Sequence, residues 1–445
     1  MNDNTTTTTS YNTTSSSTTG TARTEQYGTY HVPSLPNCHL PTLATHCIYS
    51  TLLASNTIQN MANIPIQHSK HHHHQQQQKT FSQSRIKEDG SIVTDADGAA
   101  QRIIYNEIYK VCKEIKITGE ESDLEMDQCH LEQMEHDSSC SLDNSNDFQW
   151  IQQEVNAHFH SIHHNNQYNN IHNSNTNNQR TAPMDEFCME VDCSRVRVFV
   201  DPLDGTSSYA KGEYDAVTIL IAIILDNVPI FGVIGKPFVN HNDTTATSSH
   251  TNGVGQPWKD TGCSIIYGGS LLQGAFYLGG GELKRSLEWK KKQLQWNQET
   301  IHEMDENNTE LRNRRAIISK SKMGGCVGRC IESLSSKGLI HSEPLYVSGA
   351  GMKTLKLVIG SNDESLWFFP KPGTSLWDVA AADALLRVMG GKISCGNGND
   401  LDYSKGRLEG ENMQGIIACI DSSLHATCLE LYREENWHEL EELKS

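Results

Sequence analysis

With 445 residues, 36 basic against 54 acidic side chains and a formal net charge of −18, the chain offers no basic face to a nucleic-acid polymer or an anionic membrane, and neither is expected as a partner. It contains no run of eighteen apolar residues, and its first thirty residues lack a hydrophobic signal core, so a membrane span is not expected either. The thirteen cysteines are odd in number and lack zinc-type spacing, which suits a reduced, cytoplasmic setting. The Ser- and Thr-rich, acid-poor N-terminus leaves an organellar transit segment as the alternative, with Arg23 as its only early arginine.

Residues 1–36 bury too little to offset the entropy of ordering, and a disordered Ser/Thr/Asn-rich tail is expected. From Leu40 to about Met61, the positions Leu43, Cys47, Leu52 and Ile58 recur at helical intervals. A polar tract at about 66–84 carries four consecutive histidines from His71 and four glutamines from Gln75, and reads as an inserted loop. Next, Val93-Thr94-Asp95-Ala96-Asp97 leads into a helix marked by Ile104, Ile108, Val111 and Ile115. Asp97 falls in its first turn, where the helix dipole stabilises negative charge. A short strand, Ile117-Thr118-Gly119, then runs into Glu120 and Glu121.

From about 123 to 185 the chain turns to Asn, His and Gln with little apolar periodicity, and is taken as a long insertion. After it Val196, Val198 and Val200 alternate as in a half-buried strand that ends at Asp201-Pro202-Leu203-Asp204-Gly205-Thr206. Pro202 fixes φ and Gly205 permits a tight turn. Two carboxylates and the Leu203 carbonyl are thereby offered at one sheet edge, the hard oxygen donors that Mg²⁺ and Ca²⁺ prefer. Val217 to Leu225, a turn at Asp226-Asn227 and Ile230 to Ile234 form a buried hairpin, followed by a polar insertion at about 240–256 and strand-like pieces around Ile265 and Ala275.

Residues 281–315 read as a charged surface excursion. Ala316-Ile317-Ile318 is a strand with Ser319-Lys320-Ser321-Lys322 at its tip. The loop Ser348-Gly349-Ala350-Gly351-Met352-Lys353 precedes an apolar helix, an arrangement whose amides can hold an anion. Asp378 lies in the first turn of a strong helix (Val379, Ala382, Leu386, Met389) that stops at Gly390-Gly391. Cys326 and Cys330 read as two independent small apolar residues. The fold is thus divided into an N-terminal α+β lobe, 37–280, with the three polar insertions, and a C-terminal α/β lobe, 316–445.

Asp97, Glu120, Asp201, Asp204 and Asp378 all sit at strand ends or helix starts. Clustered carboxylates raise one another's pKa unless counter-charge is supplied, which divalent cations would do. In order and spacing, Val93 to Asp97, Gly119-Glu120-Glu121, Asp201 to Thr206 and Trp377-Asp378 resemble the motifs of the magnesium-dependent, lithium-sensitive phosphatases of the inositol monophosphatase superfamily, over roughly Leu40 to Glu435. The resemblance implies a layered αβαβα sandwich and two to three Mg²⁺ ions per site. Of these, Glu120, Asp201 and the Leu203 carbonyl would hold one, and Asp201, Asp204 and Asp378 a second. It also implies that Thr206 paired with Asp97 activates water. Gly205, Thr206, Ser319, Lys320, Ser321, Gly349, Ala350, Gly351 and Lys353 would bind a small anionic phosphorylated substrate.

Two branches fit. Asp-Pro-Leu-Asp-Gly-Thr favours the 3′(2′),5′-bisphosphate nucleotidases, whereas Tyr209-Ala210-Lys211-Gly212 and the insertion before Asp201 look more like the inositol polyphosphate 1-phosphatases. Met352 and the Ser319 to Lys322 element depart from both, and an inositol monophosphatase or an inactive nucleotide-binding or interaction protein are the remaining alternatives.

Overall fold

The parallel pairing of two short pieces of chain sets up the site. Strand β1 (Lys116–Gly119) lies beside β2 (Val196–Asp204) with Gly119 opposite Val200, so that Glu120, which follows β1, ends next to Asp201. The Glu120 amide continues the ladder by donating to the Val200 carbonyl at 3.1 Å. A computed structural model describes residues 36–62, 84–86, 92–121, 146–172, 190–239, 262–279, 290–293, 314–320, 323, 325–359, 364–369, 373–405, 411–412 and 415–437. The expected N-terminal tail, the histidine and glutamine runs, the insertion at 240–256, Ser321 and Lys322 lie outside the described residues.

Beyond β2 the sheet continues through β3 (Thr218–Leu225), β4 (Val228–Val239), β5 (Gly262–Gly269), β6 (Gly274–Gly279) and β7 (Lys290–Gln293), each antiparallel to the one before, in the spatial order β7-β6-β5-β4-β3-β2-β1. The β3–β4 hairpin is the apolar pair expected, and its turn holds Asp226 and Asn227 at positive φ. A second sheet contains β8 (Arg315–Ile318), β9 (Leu345–Tyr346), β10 (Glu364–Phe369), β11 (Lys392–Cys395) and β12 (Ile416–Cys419), in the order β9-β8-β10-β12-β11.

Side-chain alternation fixes the layers. Val198 and Val200 of β2, with Ile219, Ile221 and Ile223 of β3, are buried against helices α1 (Leu40–Met61), α2 (Asp95–Val111) and α3 (Asn146–His172). From the opposite face Phe199, Leu220, Ala222 and Ile224 meet α6 (Ala350–Ile359) and α7 (Leu376–Val388), which also cover Ile317, Trp367 and Ala418 of the second sheet. The far face of that sheet, with Ala316, Leu366, Phe368 and Ile417, packs on α5 (Cys326–Ser336) and α8 (Ser422–Glu434). The order helix, sheet, helix, sheet, helix is the αβαβα sandwich, all of it within the unit that begins at Pro36.

The structure departs from the sequence expectation in three places. Helix α3 lies inside the stretch taken as an insertion, where Phe148, Ile151, Val155 and Phe159 are spaced three, four and four apart and are buried. Phe148 packs on His46 and Tyr49 of α1, with ring centres 4.9 and 5.3 Å apart. Second, Lys290–Gln293 of the charged excursion adds an edge strand, because ladder pairing needs backbone and not apolar side chains. Third, Cys112 at the end of α2 is bonded to Cys193 in the turn before β2, where only reduced cysteines were expected; the two are 81 positions apart and spacing alone does not pair them. Cys326 and Cys330 are buried in apolar surroundings, as read. Among the described residues no helix is long and apolar enough to cross a membrane.

Candidate active site

Both acids of the Asp-Pro-Leu-Asp turn reach one face of the large sheet because β2 carries an extra residue there. Asp201 stands opposite Leu220 and Asp204 opposite Thr218, so three steps along β2 match two along β3. In a regular strand positions three apart face opposite sides, and the bulge brings them to the same one. Pro202, lacking an N–H, falls within the irregularity. Gly205 then turns the chain at φ +88°, and an added Cβ would lie 2.8 Å from the Ala216 carbonyl oxygen, so a side chain meets both backbone strain and backbone atoms. Thr206 opens the five-residue helix α4 (Thr206–Ala210).

Each aspartate is anchored by backbone amides. The Asp97 Oδ2 accepts from the Thr94 amide at 2.8 Å and from the Thr94 hydroxyl at 2.5 Å. The Asp378 Oδ2 accepts from the Ser375 amide at 2.8 Å. Asp97 and Asp378 are therefore helix caps as well as site acids, since the cap uses one oxygen and leaves Oδ1 to other partners. For Asp97 that partner is the Thr206 hydroxyl, at 2.9 Å, which also lies 2.9 Å from the Leu203 carbonyl oxygen. Asp201 Oδ1 accepts from the Leu203 amide at 3.1 Å. Gln101 fixes the end of β1, exchanging two 3.2 Å bonds with the backbone of Glu121.

Electrostatics tie the acids into one group. Burial pushes the Asp201 carboxyl well above the usual carboxylate range, and the charges of Glu120, Asp204 and Asp378 push it further. Asp378 is pushed up to about 7, by burial first and by the charge of Asp204 next, with Lys353 opposing. Among the described residues, no group of three Asp, Glu, His or Cys side chains is drawn together as closely as a filled metal site requires. The donor chemistry nevertheless fits a hard cation: the donors are all oxygens, and the raised pKa values of Asp201 and Asp378 mark a need for counter-charge that Lys353 offsets only for Asp378.

A cavity of about 170 Å³ adjoins Asp204 and Asp378. Ser319, Gly349, Ala350 and Lys353, expected to bind substrate, line it, as do Trp367 and Thr374, which the sequence reading does not single out. The Lys353 Nζ is 5.5 Å from the centre of the Trp367 ring and donates to the Gly349 carbonyl at 3.1 Å. Lys320 is exposed and absent from the lining. The expectation that the Gly349-Ala350-Gly351 amides hold a substrate anion is corrected for two of them: the Ala350 and Gly351 amides donate to Asp204 Oδ1 at 3.0 Å and Oδ2 at 2.8 Å. The anion at the start of α6 is a side chain of the protein, because the β2 bulge aims Asp204 directly at it. Thr218, opposite Asp204, donates to the same Oδ2 at 2.7 Å, a contact the sequence does not signal because a threonine opening an apolar run reads as ordinary strand.

A model of the inositol monophosphatase family matches residues 51–434, a span that includes every acid described above. The chain belongs to that family. Its sequence is 28% identical over 223 residues to 3′(2′),5′-bisphosphate nucleotidase 1 of Mus musculus, covering 50% of this chain and 57% of the relative. It is 27% identical over 225 residues to the protein of the same name in Dictyostelium discoideum, covering 51% and 60%. To inositol polyphosphate 1-phosphatase of Bos taurus it is 28% identical over 222 residues, covering 44% and 45%. The chain spans less than two thirds of the length of each of these relatives.

Proposed function

We propose that the protein is a divalent-cation-dependent phosphatase that removes one phosphate from a small bisphosphorylated metabolite, adenosine 3′,5′-bisphosphate (and its sulfated relative) before inositol 1,4-bisphosphate. The observation that carries this reading is the Thr206 to Asp97 hydrogen bond, 2.9 Å long and buried, on the turn that also bears Asp201 and Asp204. Of the two acceptors 2.9 Å from the Thr206 hydroxyl, Asp97 Oδ1 and the Leu203 carbonyl, the carboxylate is the stronger, and a hydroxyl that donates to it keeps lone pairs to accept from water. Water held by Thr206 Oγ1 would give up a proton to that oxygen as Thr206 passes its own to Asp97 Oδ1, leaving hydroxide to attack phosphorus. Thr94 keeps Asp97 oriented for this transfer.

Mg²⁺ ions held by Glu120, Asp201 and the Leu203 carbonyl, and by Asp201, Asp204 and Asp378, would supply acidification of water and neutralisation of charge on the phosphate and the departing oxygen. Asp201, common to both sets, keeps them together. Gly205 and Thr206 amides are assigned to phosphate oxygens. Lys353, at the wall of the cavity, adds positive charge in an otherwise acidic site and supports an anionic leaving group. The nucleotidase-type turn Asp201 to Thr206 and the matched nucleotidases favour the nucleotide, and the match to an inositol polyphosphate 1-phosphatase keeps the inositol substrate second.

Phosphate release from both substrates by the purified protein, with Mg²⁺, with chelator and with added Li⁺, tests the proposal. Turnover that needs Mg²⁺ and falls with Li⁺ is expected. Nucleotide retention in a calorimeter without turnover would instead identify a binding protein.

A further inference from the structure

An ionised carboxylate has two oxygens and about four lone-pair positions. Asp204 has three of them filled by the protein: Oδ1 by the Ala350 amide at 3.0 Å, Oδ2 by the Gly351 amide at 2.8 Å and by the Thr218 hydroxyl at 2.7 Å. The approach that makes this possible is close. An added Cβ on Gly351 would lie 2.2 Å from Thr218 Oγ1, so α6 reaches Asp204 only because that position lacks a side chain. Thr218 is fully buried on the strand position directly opposite Asp204. Its hydroxyl thus has a fixed acceptor and no contact with bulk water.

We infer that Thr218 is a positioning residue for the cation site: together with the Gly351 amide it saturates Asp204 Oδ2, so that Asp204 offers a cation a single point of attachment, Oδ1. The inference rests on the reading of Asp204 as a metal ligand. One consequence is directional. With Oδ2 filled, the carboxylate cannot rotate to bind a cation through both oxygens, and the one position left is set by the same three donors that seat α6. Lys353, one turn into α6, lines the cavity beside Asp204, so ligation and the placement of that lysine share one anchor.

Mn²⁺ binding to the full chain, followed by electron paramagnetic resonance, tests this with Thr218→Val, which keeps the shape and loses the donor, and Thr218→Ser, which keeps the donor. Loss of an outer partner of a metal ligand weakens affinity roughly 10- to 100-fold, and Thr218→Val is expected to fall in that range while Thr218→Ser stays near wild type. A purely structural Thr218 would lower the melting temperature of Thr218→Val and leave Mn²⁺ affinity unchanged, which would overturn the inference. Should Thr218→Val fail to fold, crystals of the wild-type protein soaked in Mn²⁺ decide: attachment through Oδ1 alone supports the inference, and attachment through Oδ2 or both oxygens ends it. Wild-type protein that binds Mn²⁺ but hydrolyses nothing would refute the phosphatase reading and leave this one standing; wild-type protein that binds no Mn²⁺ would refute both.

Discussion

The Thr206 hydroxyl and the Asp97 carboxylate, 109 positions apart in the chain, meet at 2.9 Å in the interior of the protein. Asp97 is fully buried and its other oxygen accepts from Thr94, which holds Oδ1 toward Thr206; the Leu203 carbonyl, also 2.9 Å from the hydroxyl, is its second acceptor. General-base assistance of this kind contributes roughly 10²–10⁴-fold. Thr206→Val and Asp97→Asn are each expected to lower kcat by about that amount with a smaller change in KM. The double variant should be little worse than either single one, because the two residues act as a unit. Steady-state kinetics of the three variants provides the check, and strictly multiplicative losses would separate the two roles.

Asp201 is the acid shared by both proposed cation sets. Asp201→Asn should reduce turnover by at least roughly 10²-fold, the scale of losing one group that stabilises transition-state charge. Without metal the same change removes the cost of burying an ionisable carboxyl, and of placing it beside Glu120, Asp204 and Asp378, so the variant should melt no lower than wild type in chelator. It should also lose most of the stabilisation expected of Mg²⁺ in wild type. Thermal unfolding with and without Mg²⁺ measures both effects.

Burial, with the charge of Asp204, pushes Asp378 up to about 7 in the folded protein, against about 3.9 for an aspartate in an unfolded chain. Between those values the folded state holds a proton that the unfolded state has released. The contribution of Asp378 to metal-free stability is therefore fully present below about pH 4 and is lost as pH rises through about 7. Melting temperatures in chelator should fall across that window, and Asp378→Asn should flatten the slope. A wild-type slope unchanged by the substitution would contradict the assignment.

Gly205→Ala places a methyl group at φ +88° and 2.8 Å from the Ala216 carbonyl oxygen. A destabilisation of about 1–3 kcal/mol is expected from the backbone strain. Because the turn carries Thr206, activity should drop further than stability alone explains, as denaturant titration beside kinetics would show.

Phe148 tests the docking of α3. The ring is buried against His46 and Tyr49, and Phe148→Ala should cost about 3 kcal/mol. Near-normal kcat below the melting transition is the expected companion result.

Much of the site was legible because its acids obey local rules as well as serving the site. Asp97 and Asp378 stand where any helix cap would stand, and Asp201 to Thr206 ends a strand with turn residues, so pattern and spacing sufficed to place them. The apolar hairpin of β3 and β4 was visible for the same reason. Contacts between distant residues were not. The pairing of the Ala350 and Gly351 amides with Asp204 spans almost 150 positions and depends on a one-residue bulge, so the small-residue loop suggested an anion without revealing that the anion is internal. In α3 the apolar spacing of Phe148, Ile151, Val155 and Phe159 was present but outnumbered by Asn, His and Gln. Composition over a long window conceals one narrow buried stripe. Strand β7 had no apolar signal at all, since edge pairing uses the main chain.

The most direct measurement of the cation-dependent site is anomalous scattering from crystals equilibrated with Mn²⁺ as a stand-in for Mg²⁺. At least two peaks are expected, one contacting Glu120 and Asp201 and another contacting Asp201, Asp204 and Asp378, with both lost in Asp201→Asn. Ordered crystals that show no peak within reach of these four acids at saturating Mn²⁺ would contradict the proposed chemistry at its root.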